Sequence, residues 1–246
     1  MELLQAYPYL VTNLGNLALL IVLLVPCPPL LRRIVVMGAL VTLPAAFQEL
    51  IDVPTYWNPA RVFVLAGIGP EDLLCAFVGG GFCCLLAMWP FRTSLVLEWR
   101  RRELPRRFLL VAAMGCAARL LLQVLGAGAS TELSASVAFL ALAMLCLRPR
   151  QWRLAATGMI LFTPVYFLLV KLAFTAAPNY LAQWNQANLL GPMVWGVPLD
   201  EIVWSACSGA AVPMSVAYIL GVRLAREGDR ITPEKKDGAV ALGDRA

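Results

Sequence analysis

Seven long apolar blocks constrain this chain more than any other feature: Tyr9–Val25, Ile34–Ile51, Val62–Met88, Phe108–Leu125, Leu133–Leu147, Leu154–Ala177 and Met193–Val222. Each is close to the roughly 20 residues a helix needs to cross about 30 Å of hydrocarbon, where backbone polar groups must be satisfied within the segment. The sequence therefore predicts an all-α integral membrane protein of seven transmembrane helices. Composition agrees, with 60% of the 246 residues hydrophobic and only 14% charged, unlike a soluble domain. The first block reads as a retained span rather than a cleaved signal. Glu2 precedes it with no Lys or Arg, and no A-x-A site follows.

The net charge of +5 is a matter of topology. Arg32 and Arg33, then Arg92, Arg100, Arg101, Arg102, Arg106 and Arg107, then Arg148, Arg150 and Arg153, and finally Arg223 and Arg226 occupy alternate connections, and Arg61 is the one base on the opposite side. The positive-inside rule then places the amino terminus outside and the carboxyl terminus in the cytoplasm, as expected of a protein of the bacterial cytoplasmic membrane. A lipid bilayer is the partner this pattern implies, and no nucleic acid is expected. Residues 227–246 read as a disordered cytoplasmic tail.

No histidine is present, which excludes Ser-His triads, the usual His-containing zinc sites and His-ligated haem. The seven cysteines lack metal-ligand spacing and read as small core hydrophobes. Gly79-Gly80-Gly81 serves close helix packing, since no phosphate-loop pattern surrounds it. No cofactor and no metal are expected.

An internal repeat appears at an offset of about 128 residues, where Gly69-Pro70-Glu71-Asp72-Leu73 falls near Val197-Pro198-Leu199-Asp200-Glu201. Spans one to three fall on spans five to seven, and a linking fourth span restores their orientation, so the sequence predicts two parallel three-helix repeats. The corresponding divisions are residues 1–91, a basic loop and linking span over 92–132, the second repeat over 133–226, and the tail.

Six acids lie within or beside apolar blocks: Glu49, Asp52, Glu71, Asp72, Asp200 and Glu201. Ionisable groups at membrane depth are costly, face the bundle interior and mark function. The competing reading is that Pro-x-Asp merely starts a helix, with carboxylates at the positive end of its dipole. Apolar residues before each motif, Val62 to Ile68 and Met193 to Val197, favour a deeper setting. Trp204 shares a helix face with Asp200 at i,i+4. Tyr56, Trp57, Asn58 and Arg61 precede the first motif, and Trp184, Asn185, Asn188 and Trp195 the second. These are candidate substrate-binding groups, or else aromatic-belt residues of the interface. Arg119 and Lys171 are the basic groups inside spans, placed either to pair with carboxylates or to snorkel.

The run Gly196-Val197-Pro198-Leu199-Asp200-Glu201-Ile202-Val203-Trp204, with Tyr56-Trp57-Asn58-Pro59-Ala60-Arg61 upstream of Pro70-Glu71-Asp72, resembles the lycopene cyclase domain family, small membrane enzymes of two subunits or fused tandem repeats. The resemblance implies a lipophilic isoprenoid substrate such as lycopene and non-redox ring closure by acid and base. It carries the family's Pro-x-Glu-Glu carboxylates onto Asp200 and Glu201. In the first repeat it carries them onto Asp72, with Glu71 standing in through a one-residue slip, and an upstream acid falls on Glu49. The double Phe that usually follows is replaced by Leu74-Cys75 and Val203-Trp204, which admits a different or smaller isoprenoid. The expected chemistry is protonation of an alkene or epoxide by a neutral carboxylic acid, ring closure, and proton loss to a second carboxylate, since burial and a like-charged neighbour divide a pair into acid and base. Trp57, Trp195 and Trp204 are candidates to stabilise the cation.

Two other classes share some of these features. A proton-coupled transporter also uses repeats and intramembrane acids. A seven-helix pigment-binding protein shares the span count but needs a lysine in its last span, which this chain lacks. The oligomeric state is open, a homo-oligomer among the states allowed.

Overall fold

The computed structural model describes residues 2–53 and 55–225, so Arg226 and the tail at 227–246 lie outside the described residues. The chain runs through α1 (Glu2–Ala6), α2 (Pro8–Leu24), α3 (Pro29–Thr42), a 3-10 segment (Leu43–Gln48), α4 (Glu49–Asp52), α5 (Pro70–Met88), α6 (Leu104–Val124), α7 (Ala129–Leu147), α8 (Trp152–Ala176), α9 (Pro178–Leu181) and α10 (Leu199–Leu220). Proline in the first turn of α2, α3, α5 and α6 presets the helical φ where the missing N–H is not needed. Gly221, at φ 76°, ends α10 in the left-handed conformation.

Among the described residues six helices are long and apolar enough to cross a membrane: Pro29–Asp52, Pro70–Phe91, Leu104–Val124, Ala129–Leu147, Pro149–Ala176 and Leu199–Leu220. The first block forms α2, a 17-residue helix, about 25 Å long and at the lower edge of spanning length. Three block boundaries are corrected. The second helix starts at Pro29 rather than Ile34, the third at Pro70 rather than Val62, and the last at Leu199 rather than Met193.

The physical reason for the last two corrections is turn chemistry. Both apolar lead-ins fold as tight hairpins whose two central residues have positive φ, Ala66 at 52° and Gly67 at 86°, then Trp195 at 50° and Gly196 at 81°. Leu65 pairs with Ile68 across the first turn. Across the second, β2 (Met193–Val194) pairs with β3 (Val197–Pro198). Such turns match strand twist and break a helix.

α5 packs on α2 and α3, and α10 packs on α7 and α8. α5 also touches α8 and α10, and α10 touches α3. α6 lies outside, against α7 and α10, and exposes Leu109, Leu120, Leu121 and Val124 as a lipid-compatible face. Gly80 sits against Thr42 and Gly81 against Leu20, whereas Gly79 faces open space. The closest crossing is α8 with α10, where a Cβ on Gly209 would come within 2.7 Å of the Gly158 carbonyl oxygen.

Two buried clusters divide the molecule. The larger is aliphatic and built around Leu31, Ile34, Met88, Met144, Met214 and Leu220. The smaller is aromatic, with Tyr9, Tyr56, Trp57, Phe174, Tyr180 and Trp184, and it surrounds the acid-bearing ends of α4 and α10. At the Arg-rich end, β1 (Leu95–Leu97) pairs antiparallel with β4 (Val222–Leu224), and Arg223 bonds Glu98 at 2.5 Å.

Candidate active site

Trp57 and Trp184 organise the site. Each follows a helical segment in the loop before a Pro-acid motif, and the two loops pair with each other. The Asn58 N–H donates to the Gln183 carbonyl at 2.7 Å, and the Asn185 N–H donates to the Tyr56 carbonyl at 2.9 Å. This bridge sets the indoles side by side with ring centroids 5.3 Å apart. Each indole N–H, which can only donate, reaches a different carboxylate. Trp57 Nε1 donates to Glu49 Oε2 at 2.9 Å, and Trp184 Nε1 to Glu201 Oε1 at 2.8 Å.

Glu201, on the first turn of α10, receives two further donors, Tyr56 OH on Oε1 at 2.7 Å and Tyr166 OH on Oε2 at 2.5 Å. Its residue is 5% exposed. Burial and the Glu201 carboxyl push the Tyr56 phenol well above the ordinary tyrosine range, so that it stays a neutral donor. Glu49 Oε2 also accepts from Arg61 Nη2 at 3.3 Å. Among the described residues no bond to Glu49 Oε1 is formed.

These two carboxylates and Asp52 line one chamber of about 140 Å³, together with Tyr56, Trp57, Tyr166, Trp184 and Trp204. Trp204 lies against Tyr166 with centroids 5.3 Å apart and the rings tilted by 55°. Beyond Trp204 lies an apolar cavity of about 460 Å³ along α3, α6, α7 and α10, and Gln48 and Trp204 line both spaces.

The other acids are occupied with architecture and do not line the chamber. Asp72 accepts from the Gly69 N–H at 2.7 Å and pairs with Arg61 at 3.0 Å. Glu71 accepts from the Val62 N–H at 2.7 Å. Asp200 accepts from the Ser130 hydroxyl and from the Leu190 N–H at 3.1 Å. Each Pro-acid motif thus accepts a backbone N–H from the loop that precedes it, Val62 for Glu71 and Leu190 for Asp200. Adjacent residues on a helix diverge by about 100°, and Asp200 and Glu201 accordingly face different neighbours.

Asn58, Asn185 and Asn188 are exposed loop residues, the last two donating to the Thr55 carbonyl at 3.3 and 2.6 Å. Trp195 is 79% exposed at the hairpin tip, where its carbonyl accepts from Lys171 at 2.6 Å. Arg119 is buried between Asp52 and Glu132, bonding the latter at 2.6 Å. Tyr166, Glu132, Gln48 and the polar residues of α2 escape sequence reasoning aimed at acid pairs. Their signal is the one that flagged the acids, polar side chains inside apolar blocks.

Residues 129–219 match a family model described as Lycopene cyclase. The match starts at the first residue of α7 and stops one residue short of the end of α10, so it covers α7 to α10 and leaves α1 to α6 outside. No curated protein and no solved structure matches the chain. Over residues 129–219 the chain therefore carries the sequence pattern of the lycopene cyclase family, as its motifs led us to expect.

Proposed function

We propose that this chain is an intramembrane isoprenoid cyclase that closes a ring by proton transfer, without redox chemistry, at the Glu49–Glu201 chamber. The observation that carries this reading is the pairing itself: a buried and a half-buried carboxylate, Glu201 and Glu49, each held by an indole N–H, face one cavity that Tyr56, Trp57, Tyr166, Trp184 and Trp204 help to wall. One carboxyl delivers a proton to the terminal double bond or epoxide, and the other removes a proton after closure. In between, the faces of Trp57, Trp184, Trp204 and Tyr166 stabilise the cation. An apolar cavity of about 150 Å³ holds one benzene molecule, so a chamber of about 140 Å³ suits one six-membered ring. The apolar cavity beyond Trp204 takes the remaining chain. Asp72, Glu71 and Asp200 position the loops that carry the tryptophans. Support for tandem repeats comes from the paired hairpins, the reciprocal loop bridge and the equivalent loop-tying acids.

Expression in bacteria that accumulate lycopene tests the proposal. We expect cyclised pigment of unchanged mass, and its loss by about 100-fold or more in Glu49→Gln and in Glu201→Gln. Asp200→Asn should chiefly reduce the amount of folded protein. Unaltered lycopene and other isoprenoids, with the protein present in the membrane, would contradict the reading and return proton-coupled transport to the front.

A further inference from the structure

α2 is apolar except along one line: Tyr9, Thr12, Asn13 and Asn16, at i, i+3, i+4 and i+7, all line the Glu49–Glu201 chamber. Tyr9 is 1% exposed, and among the described residues its hydroxyl finds no nitrogen or oxygen partner, its polar neighbour being the Cys75 sulfur. Asn13 is 6% exposed, and its amide nitrogen is committed to the Tyr9 carbonyl at 3.0 Å. Gln48 enters the same space from the 3-10 segment. Polar groups in a membrane interior are tolerated where something satisfies them, and a hydrocarbon end group offers neither donor nor acceptor.

Resting on the cyclase reading, we propose that the polar face of α2 recognises an oxygen on the reacting end of the substrate, which is an isoprenoid with a terminal epoxide. The epoxide oxygen accepts the carboxyl proton and its C–O bond to the more substituted carbon breaks. The neighbouring alkene closes a C–C bond onto that carbon, and a proton leaves the resulting cation for the second carboxylate. The product is an isomer bearing a hydroxyl, which stays within reach of Tyr9 and the α2 amides. No co-reactant is needed.

A matched pair, lycopene and its 1,2-epoxide, presented to the full chain in detergent, reads the recognition directly. We expect kcat/KM for the epoxide at least about tenfold above that for lycopene. We expect Tyr9→Phe and Asn13→Leu each to lower that ratio by roughly fivefold while the thermal midpoint of Tyr9→Phe stays unchanged. Equal or better use of lycopene, or a ratio indifferent to both variants, overturns the recognition and leaves the cyclase standing. A product heavier by one water also overturns it, because the amides would then hold a water rather than the substrate's oxygen. Failure to cyclise either compound overturns the cyclase reading and the proposal together.

Discussion

Glu201 has three donors aimed at it, from residues 17 to 145 positions away, and Glu49 two, from 8 and 12 positions further along its own loop. That geometry explains what the sequence reveals at this scale and what it conceals. Acids inside apolar blocks are conspicuous, so Glu49, Asp200 and Glu201 stand out in the bare sequence. The partnership of Glu49 with Glu201 is invisible there, because it is made by the loop bridge that sets Trp57 beside Trp184 rather than by adjacency. Asp200 next to Glu201 reads as a pair, yet helical geometry turns one toward Ser130 and the other into the chamber. Tyr56 supplies a pH test. Burial and Glu201 raise its pKa in the folded state above the ordinary value of 10.0. The unfolded chain therefore ionises first, and stability is constant below about pH 10 and falls above it by up to about 1.4 kcal/mol per pH unit for this group. We expect Tyr56→Phe to be less stable at neutral pH but to lose less between pH 10 and 11.5. Thermal midpoints in detergent check this, and parallel alkaline slopes for both proteins would contradict it.

At the scale of elements, turn chemistry and a buried charge network decide what hydropathy cannot. Val62–Gly69 and Met193–Pro198 are apolar enough to extend helices, but Ala66-Gly67 and Trp195-Gly196 adopt positive φ and fold back. X-Gly between short apolar runs is a hairpin signal, masked here because the whole neighbourhood is apolar. The helix starts at Pro29 and Pro70, by contrast, are marked by the prolines themselves. α4, α6 and α7 are joined by Asp52, Arg119 and Glu132, a triad of which Glu132 is hidden at the edge of its block. Arg119→Leu strands two buried carboxylates and should cost about 3–5 kcal/mol. Replacing all three residues by Leu should cost less, since apolar packing substitutes well for buried ion pairs. Unfolding of the purified proteins compares them, and a triple variant worse than the single one would contradict the account.

For the molecule as a whole, the helical membrane architecture is legible from block length alone, although among the described residues six helices rather than seven are long and apolar enough to cross a membrane. The family pattern is legible because its motif lies in the second triplet, where residues 129–219 match. Residues 70–72, Pro-Glu-Asp, lie outside the matched residues, although a hairpin with two positive-φ residues precedes both Pro70 and Pro198. The chamber draws Trp57 and Glu49 from the first half of the chain and Trp184 and Glu201 from the second. In the proposed reaction a proton from a carboxyl, in exchange with solvent, starts ring closure. Turnover of a hydrocarbon isoprenoid in deuterated water by the purified chain measures this most directly. The account predicts a cyclised product carrying one solvent deuterium per ring formed, absent with Glu49→Gln or Glu201→Gln. A ring formed without deuterium, or formed equally well by both variants, would contradict it.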